Sequence, residues 1–230
     1  MTVDRSKEKM LDIKLAIFDL DGTLIDAYRA ITESCNYTLR RLGLPRSSDA
    51  EIIRAVGWGD KAFIAAFFPQ GLAGKAIEIY RSHHKQSLRR YSKLKPYAKT
   101  LLRLIKRKGI KLAVASNRPT EFSLILLRHF RIERYFDYVL CADKLRYPKP
   151  HPAILNRVTK NTKVGKKYAL YVGDMALDAQ AGLRAGVKTI VVLGGSGNRR
   201  DIEKERPYKI VKELREVARY LINTERFNYG

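Results

Sequence analysis

No apolar run in this sequence approaches the ~20 residues that a membrane-spanning helix requires, so a helical membrane protein is not expected. Cysteine is nearly absent, with two residues, Cys35 and Cys141, in 230. Two cysteines cannot build a disulfide framework, and theirs is not the spacing of a metal site. They are expected as reduced thiols of a cytoplasmic protein. Met1–Lys14 alternates charge with isolated apolar residues and has no apolar core of the kind a signal peptide needs. Internal repeats, low-complexity segments and a polybasic tail are also missing. Negative charge is the remaining shortage: 23 acidic residues face 46 basic ones, for a formal net charge of +23. A basic surface attracts phosphorylated metabolites, nucleic acid or anionic lipid. The basic residues are scattered, with only short clusters at Arg103–Lys111 and Arg199–Arg206. Solvated surface charge therefore accounts for them best, and nucleic acid stays open as a partner without being favoured.

Two kinds of segment alternate along the chain. Leu15–Phe18, Lys111–Ala115, Tyr138–Cys141, Ala169–Val172, Thr189–Leu193 and Tyr208–Val211 are short apolar or β-branched runs that read as buried parallel strands. Thr100–Lys108, Ala176–Ala185 and Lys212–Ile222 have helical spacing, and glycine stops the first two. Alternation of this kind predicts an α/β fold, a doubly wound Rossmann-like parallel sheet with helices on both faces. Residues 26–95 break the pattern with helical signals and no convincing strand. Ala27–Leu42, a Ser48-capped helix through Ala55, an Asp60-capped helix through Phe68, and Ala73–Tyr91 are expected there. Ile31, Leu39, Ile52, Ile53, Phe63, Ile64, Phe67, Ile77 and Ile79 are expected to form mostly that segment's own core. Phe227–Gly230 is expected to fray.

In an open α/β sheet, ligands bind beyond the carboxyl ends of the strands. After the first strand comes Asp19-Leu20-Asp21-Gly22-Thr23-Leu24; after the second, Ser116-Asn117. Pro148-Lys149-Pro150 follows the third by a few residues, and Gly173-Asp174-Met175-Ala176-Leu177-Asp178 follows the fourth. Four carboxylates at one edge repel one another. Mg²⁺ suits such a set, because it prefers oxygen ligands and shares them with phosphate and water. The absence of His and Cys from the set argues against zinc. A lysine and a hydroxyl beside such a site point to a phosphoryl group.

The four motifs, in this order, resemble those of the haloacid dehalogenase superfamily, in its phosphatase branch. Asp19–Leu24 matches the first motif, Ser116 the second, Lys149 the third and Gly173-Asp174-x-x-x-Asp178 the fourth. Within the superfamily, Gly109–Asn117, Pro148–Pro152 and Ala181–Val187 are most similar to phosphoglycolate-phosphatase-like enzymes. Met175 and Pro148 depart from the residues frequent at those positions. The resemblance implies that Asp19 is the nucleophile, forming an aspartyl phosphate, and that Asp21 is the acid and base. It implies Ser116 and Lys149 as phosphoryl holders, and Asp19, Asp21 (through its backbone carbonyl), Asp174 and Asp178 as metal-site residues. Asp178 is expected behind the direct ligands. Thr23 and Asn117 would support or contact the substrate.

The same resemblance places a helical cap at 26–95, between core segments 1–25 and 96–230, with hinges near Leu24–Ala27 and Leu94–Tyr97. Arg54, Gly57, Trp58 and Lys61 are candidate cap contacts, with Trp58 equally readable as cap core. His83 and His84 read as surface residues. The function expected is a Mg²⁺-dependent phosphatase of small phosphorylated metabolites, acting as a monomer or homodimer. A sugar-phosphate mutase, a pyrophosphatase, or an RNA- or partner-binding protein on a retired hydrolase fold remain alternatives.

Overall fold

The computed structural model describes residues 11–221; Ile222 and the end expected to fray, Phe227–Gly230, lie outside the described residues, as does most of Met1–Lys14. β1 (Leu15–Phe18) leads to a two-residue strand, β2 (Ile25–Asp26). Four helices follow: α1 (Tyr28–Arg41), α2 (Asp49–Arg54), α3 (Asp60–Phe67) and α4 (Ala73–Tyr91). The chain returns through β3 (Lys93–Leu94), which pairs antiparallel with β2. Strands and helices then alternate through α5 (Ala98–Arg107), β4 (Lys111–Ser116), α6 (Thr120–His129), β5 (Tyr138–Cys141), α7 (Ala153–Thr162) and β6 (Ala169–Gly173). α8 (Ala176–Ala185), β7 (Lys188–Val192), α9 (Arg199–Lys204), β8 (Lys209–Val211) and α10 (Leu214–Leu221) complete the order. No helix among the described residues is long and apolar enough to cross a membrane.

Six strands form one parallel sheet in the order β5-β4-β1-β6-β7-β8. β1 shows why its sequence is apolar throughout. Successive side chains point to opposite faces, and both faces are covered. Leu15 and Ile17 enter the core with Leu155, Val158 and Ala181 from α7 and α8. Ala16 and Phe18 enter the other, with Leu101, Phe122 and Val217 from α5, α6 and α10. Burying a side chain such as Phe18 contributes about 1.5–3 kcal/mol, so the middle of the sheet anchors the loop that follows it. The chain moves from β1 to β4 and β5 on one side, then crosses back to β6 on the other. That reversal makes the carboxyl ends of β4, β1 and β6 the binding crevice of the fold.

The helical segment has a separate core of Ile31, Cys35, Leu39, Ile52, Val56, Phe63, Ile64, Phe68, Ala76 and Tyr80. Of the residues expected there, Phe67 and Ile77 pack at its edge, while Ile53 and Ile79 are half-buried outside it. Ser48 caps α2 through a reciprocal arrangement with Glu51. Gly59 rather than Asp60 caps α3, and Asp60 is its first helical residue. Two corrections concern the borders of this segment and of the core. β2 and β3 are strands where none was expected, because a two-residue ladder leaves no alternating pattern. α6 and α7 had no assignment, since Leu124–Leu127 is a continuous apolar run and α7 is rich in Thr and Asn, which favour helices weakly.

Candidate active site

Asp19, Asp21, Ser116, Asn117, Arg118 and Lys149 converge on a cavity of about 580 Å³, counting its open mouth. Its other wall comes from the helical segment, chiefly Ile31, Val56, Gly57, Asp60, Phe63 and His84. Met175, Leu177 and Ser196 close the side.

Asp19 continues β1 and is 7% exposed. Burial pushes its carboxyl up to about 6, opposed by Lys149 and reinforced by Asp178 and Asp21. Nζ of Lys149 lies 3.1 Å from its Oδ1 but misaligned, so that buried oxygen receives no hydrogen bond. Lys149 is itself fully buried and donates to Asp178 Oδ1 (2.7 Å) and Tyr171 Oη (2.9 Å). Burial would favour a neutral amine, but Asp178 and Asp19 outweigh it and hold the ammonium raised above its ordinary range.

A carboxylate offers about four lone-pair positions, and Asp178 fills them. Its Oδ1 accepts from Lys149 and from Tyr171 Oη (2.6 Å). Its Oδ2 accepts the backbone N–H groups of Asp174 (3.1 Å) and Met175 (3.0 Å). Asp178 therefore fixes Lys149 and the turn that carries Asp174. Asp174 is 1% exposed and accepts from Thr23 Oγ1 (3.2 Å), Tyr28 Oη (3.3 Å) and the Ser196 N–H (3.1 Å). Burial, then Asp178 and Asp19, push its carboxyl well above the ordinary range. Gly22, at φ +76°, and Gly195 both lie so close that a Cβ on either would collide with the Asp174 carboxylate.

Oxygen atoms of Asp19, Asp174 and Asp178 lie within 4.8 Å of one another. Three carboxylates beside one ammonium leave surplus negative charge, and the buried Asp19 Oδ1 and Ser196 Oγ have no hydrogen-bond partner. The donor set is all oxygen, which fits a hard divalent cation. Asp19 and Asp174 have the free capacity to hold it; Asp178 has the least.

Asp21 is set apart from this cluster. Arg118 Nε and Nη2 donate to its Oδ2 and Oδ1, both at 2.7 Å. Ser116 is buried and its Oγ accepts only the Arg118 N–H (3.3 Å), which leaves its hydroxyl proton to donate. Asn117 is engaged on both sides of its amide: Nδ2 donates to Gly57 O (2.8 Å) and Lys149 O (3.0 Å), and Oδ1 accepts from Lys149 N (2.8 Å). It positions Lys149 and ties the helical segment to the sheet, rather than facing the substrate with a free group.

Arg54 and Lys61 are exposed and Trp58 is 51% exposed; none of the three lines the cavity. Trp58 is not cap core either. The glycines on each side of it do approach the site, Gly57 against Met175 and Gly59 near the Asn117 carbonyl. His84 corrects the surface reading. α4 brings Ala76, Tyr80, His84, Ser87 and Leu88 to its inner face, and His84 stacks on Tyr80, contacts Phe122 and meets Arg118 at 3.0 Å. Arg118, Tyr28, Tyr171 and Ser196 went unnoticed in the sequence. The glycine-rich run at Gly194–Gly197 after β7 was the available signal for Ser196.

The family model for haloacid dehalogenase-like hydrolases matches residues 16–192. The phosphoglycolate phosphatase of Aquifex aeolicus (strain VF5) is 31% identical over 204 residues, covering 87% of this chain and 96% of the relative. That of Pseudomonas fluorescens (strain Pf-5) is 30% identical over 88% of this chain and 77% of its own length. The crystal structure of a predicted phosphoglycolate phosphatase from Haemophilus somnus 129PT superposes with a TM-score of 0.87 at 25% identity, covering 92% of this chain and 99% of that one.

Proposed function

This chain belongs to the haloacid dehalogenase-like hydrolase family, and on that premise we propose a divalent-metal-dependent phosphatase that acts through Asp19 on small carboxylated phosphate esters such as phosphoglycolate. The observation that carries the mechanism is Asp19 itself. It stands at the switch point of the sheet, and its Oδ1 is ion-paired with the Lys149 ammonium at 3.1 Å but accepts no hydrogen bond.

Asp19 attacks phosphorus and forms an aspartyl phosphate, dividing one displacement into two easier ones. Lys149, held by Asp178 and Tyr171, stabilises charge on the phosphoryl oxygens, and the free Ser116 hydroxyl proton donates to them. Asp21 protonates the leaving oxygen and then takes a proton from the attacking water. It lies two residues after Asp19, and each of its oxygens keeps a lone pair beyond the bond to Arg118 for that proton. Mg²⁺, held by Asp19, Asp174 and the Asp21 carbonyl, would neutralise charge on the phosphoryl group. Residues 26–95 act as a cap, and closing the cavity wall formed by Ile31, Val56 and Phe63 excludes water.

The test is phosphate release from a panel of phosphoglycolate, sugar phosphates, nucleotides and pyrophosphate, with Mg²⁺ or EDTA. Asp19→Asn is expected to reduce release by roughly 10⁴-fold or more, and EDTA to abolish it. Release that survives either change overturns the mechanism, and no release from any ester overturns the phosphatase assignment.

A further inference from the structure

We propose that Arg118 is the subsite for a second anionic group on the substrate, a carboxylate close to the phosphate, and that it holds this group while still gripping Asp21. This rests on the cavity being a phosphate-ester site. Arg118 follows Ser116 and Asn117 at the end of β4 and lines the cavity, with a side chain only 5% exposed. A guanidinium has five N–H donors and no acceptor. Two go to Asp21 and one to His84 Nε2. No other acceptor for Arg118 occurs among the described residues. Two donors of a buried cation are therefore unspent, and burial makes that expensive.

The rest of the network fixes the guanidinium in place. Because Arg118 can only donate, His84 Nε2 must accept, so the imidazole is neutral with its proton on Nδ1. Nδ1 then donates to Ser34 Oγ (3.0 Å), and Ser34 donates to the Ala30 carbonyl (2.8 Å). Burial, then Arg118, holds His84 well below its ordinary range, in keeping with that tautomer. The chain of donors runs in one direction from the sheet into α4 and α1. It leaves Arg118 little freedom to relax, so a ligand meets a fixed guanidinium with one N–H still free on each Nη.

The cavity is lined by two buried cations, Lys149 and Arg118. Lys149 and the Ser116 hydroxyl serve the phosphoryl end. Arg118 lines the same cavity as the apolar Ile31, Val56 and Phe63, and a neutral tail there would cover the two donors without satisfying them. Asp60 also lies on that wall, but Arg81 holds its carboxylate at 3.1 Å and offsets its charge. A planar carboxylate matches the fork in shape as well as charge, as the Asp21 carboxylate already does. Discrimination then comes from unmet buried donors, the strongest kind available to a small pocket.

The test compares binding of 3-phosphonopropionate, which carries a carboxylate, with that of propylphosphonate, which does not, by titration calorimetry with and without Mg²⁺. The parent is expected to prefer the carboxylate roughly ten- to a hundredfold. In Arg118→Gln, and in Arg118→Lys, which keeps the charge and loses the fork, the preference is expected to fall to within about threefold of parity. Thermal unfolding checks that each variant is folded. Equal binding of the two by the parent, no binding of either, or a preference that persists in folded variants overturns the proposal and leaves Arg118 as a positioning partner of Asp21. Release of phosphate from p-nitrophenyl phosphate by the parent tests the phosphatase assignment separately. Release without carboxylate preference overturns the subsite alone.

Discussion

Replacing Lys149 by Met keeps the apolar stem but removes the ammonium between Asp19 and Asp178. Breaking a buried pair from one side leaves uncompensated charge, so a loss of about 3–5 kcal/mol is expected. Urea denaturation would measure it, and adding Asp178→Asn should recover part of the loss, since the two sites share one network. His84 makes a prediction with pH. Its folded form stays neutral below the ordinary histidine range, whereas the unfolded chain takes up a proton there. The unfolded state therefore binds more protons on acidification, and stability falls as pH drops below about 6.5. Between pH 6.5 and 5 the contribution is at most about 2 kcal/mol. Urea midpoints at the two pH values should show a smaller drop in His84→Gln than in the parent. Asp19, Asp21, Ser116, Asp174 and Asp178 were legible because each follows an apolar run in a compact motif, and Lys149 because prolines flank it a few residues after one. Arg118 directly follows one of these motifs, yet an arginine does not stand out in a chain with 46 basic residues. Tyr171 was hidden for the opposite reason: inside β6 it reads as core, and its hydroxyl matters only once Asp178 and Lys149 are in place.

The strands carry the sheet's legibility, because a parallel strand buried on both faces must be apolar at every position. Only its ends shift, as when Lys188 joins β7 and Leu193 leaves it. Helices were harder where the apolar stripe widened, in α6, or where propensity was weak, in α7. α4 matched its expected span, but a pair of adjacent histidines among Lys and Arg gave no hint that one of them turns inward. Of the two caps expected, Ser48 holds and Asp60 does not. Ser48 caps α2, with Glu51 bonding back to it, and Ser48→Ala should cost about 1 kcal/mol without altering turnover, because the cap is exposed and apart from the cavity. Equilibrium unfolding and steady-state rates, measured on the same preparation, would test both halves of that expectation.

At the scale of the whole molecule, the acidic cluster is a local exception in a protein of net charge +23. Mutual repulsion among the carboxylates of Asp19, Asp174 and Asp178 opposes folding, and a divalent cation held there would relieve it. Mg²⁺ at a hundred times its dissociation constant stabilises a one-site protein by about 2.7 kcal/mol. For a chain of this size that corresponds to a rise in Tm of roughly 5–10 °C. Asp174→Asn should abolish the rise, and an unchanged Mg²⁺-dependent shift in that variant would place the cation elsewhere. The pairing of β2 with β3 has a consequence of a different kind. Ile25 lies opposite Leu94, and Asp26 opposite Lys93, so the chain leaves the sheet and comes back at nearly the same point. Most of what lies between packs in a core of its own, although Ala27, Ala30 and Leu88 join the core of the sheet. The segment is therefore interchangeable in principle. A chimera that joins this sheet to the corresponding helices of a relative should fold, keep the proposed role of Asp19 and take its substrate preference partly from the donor.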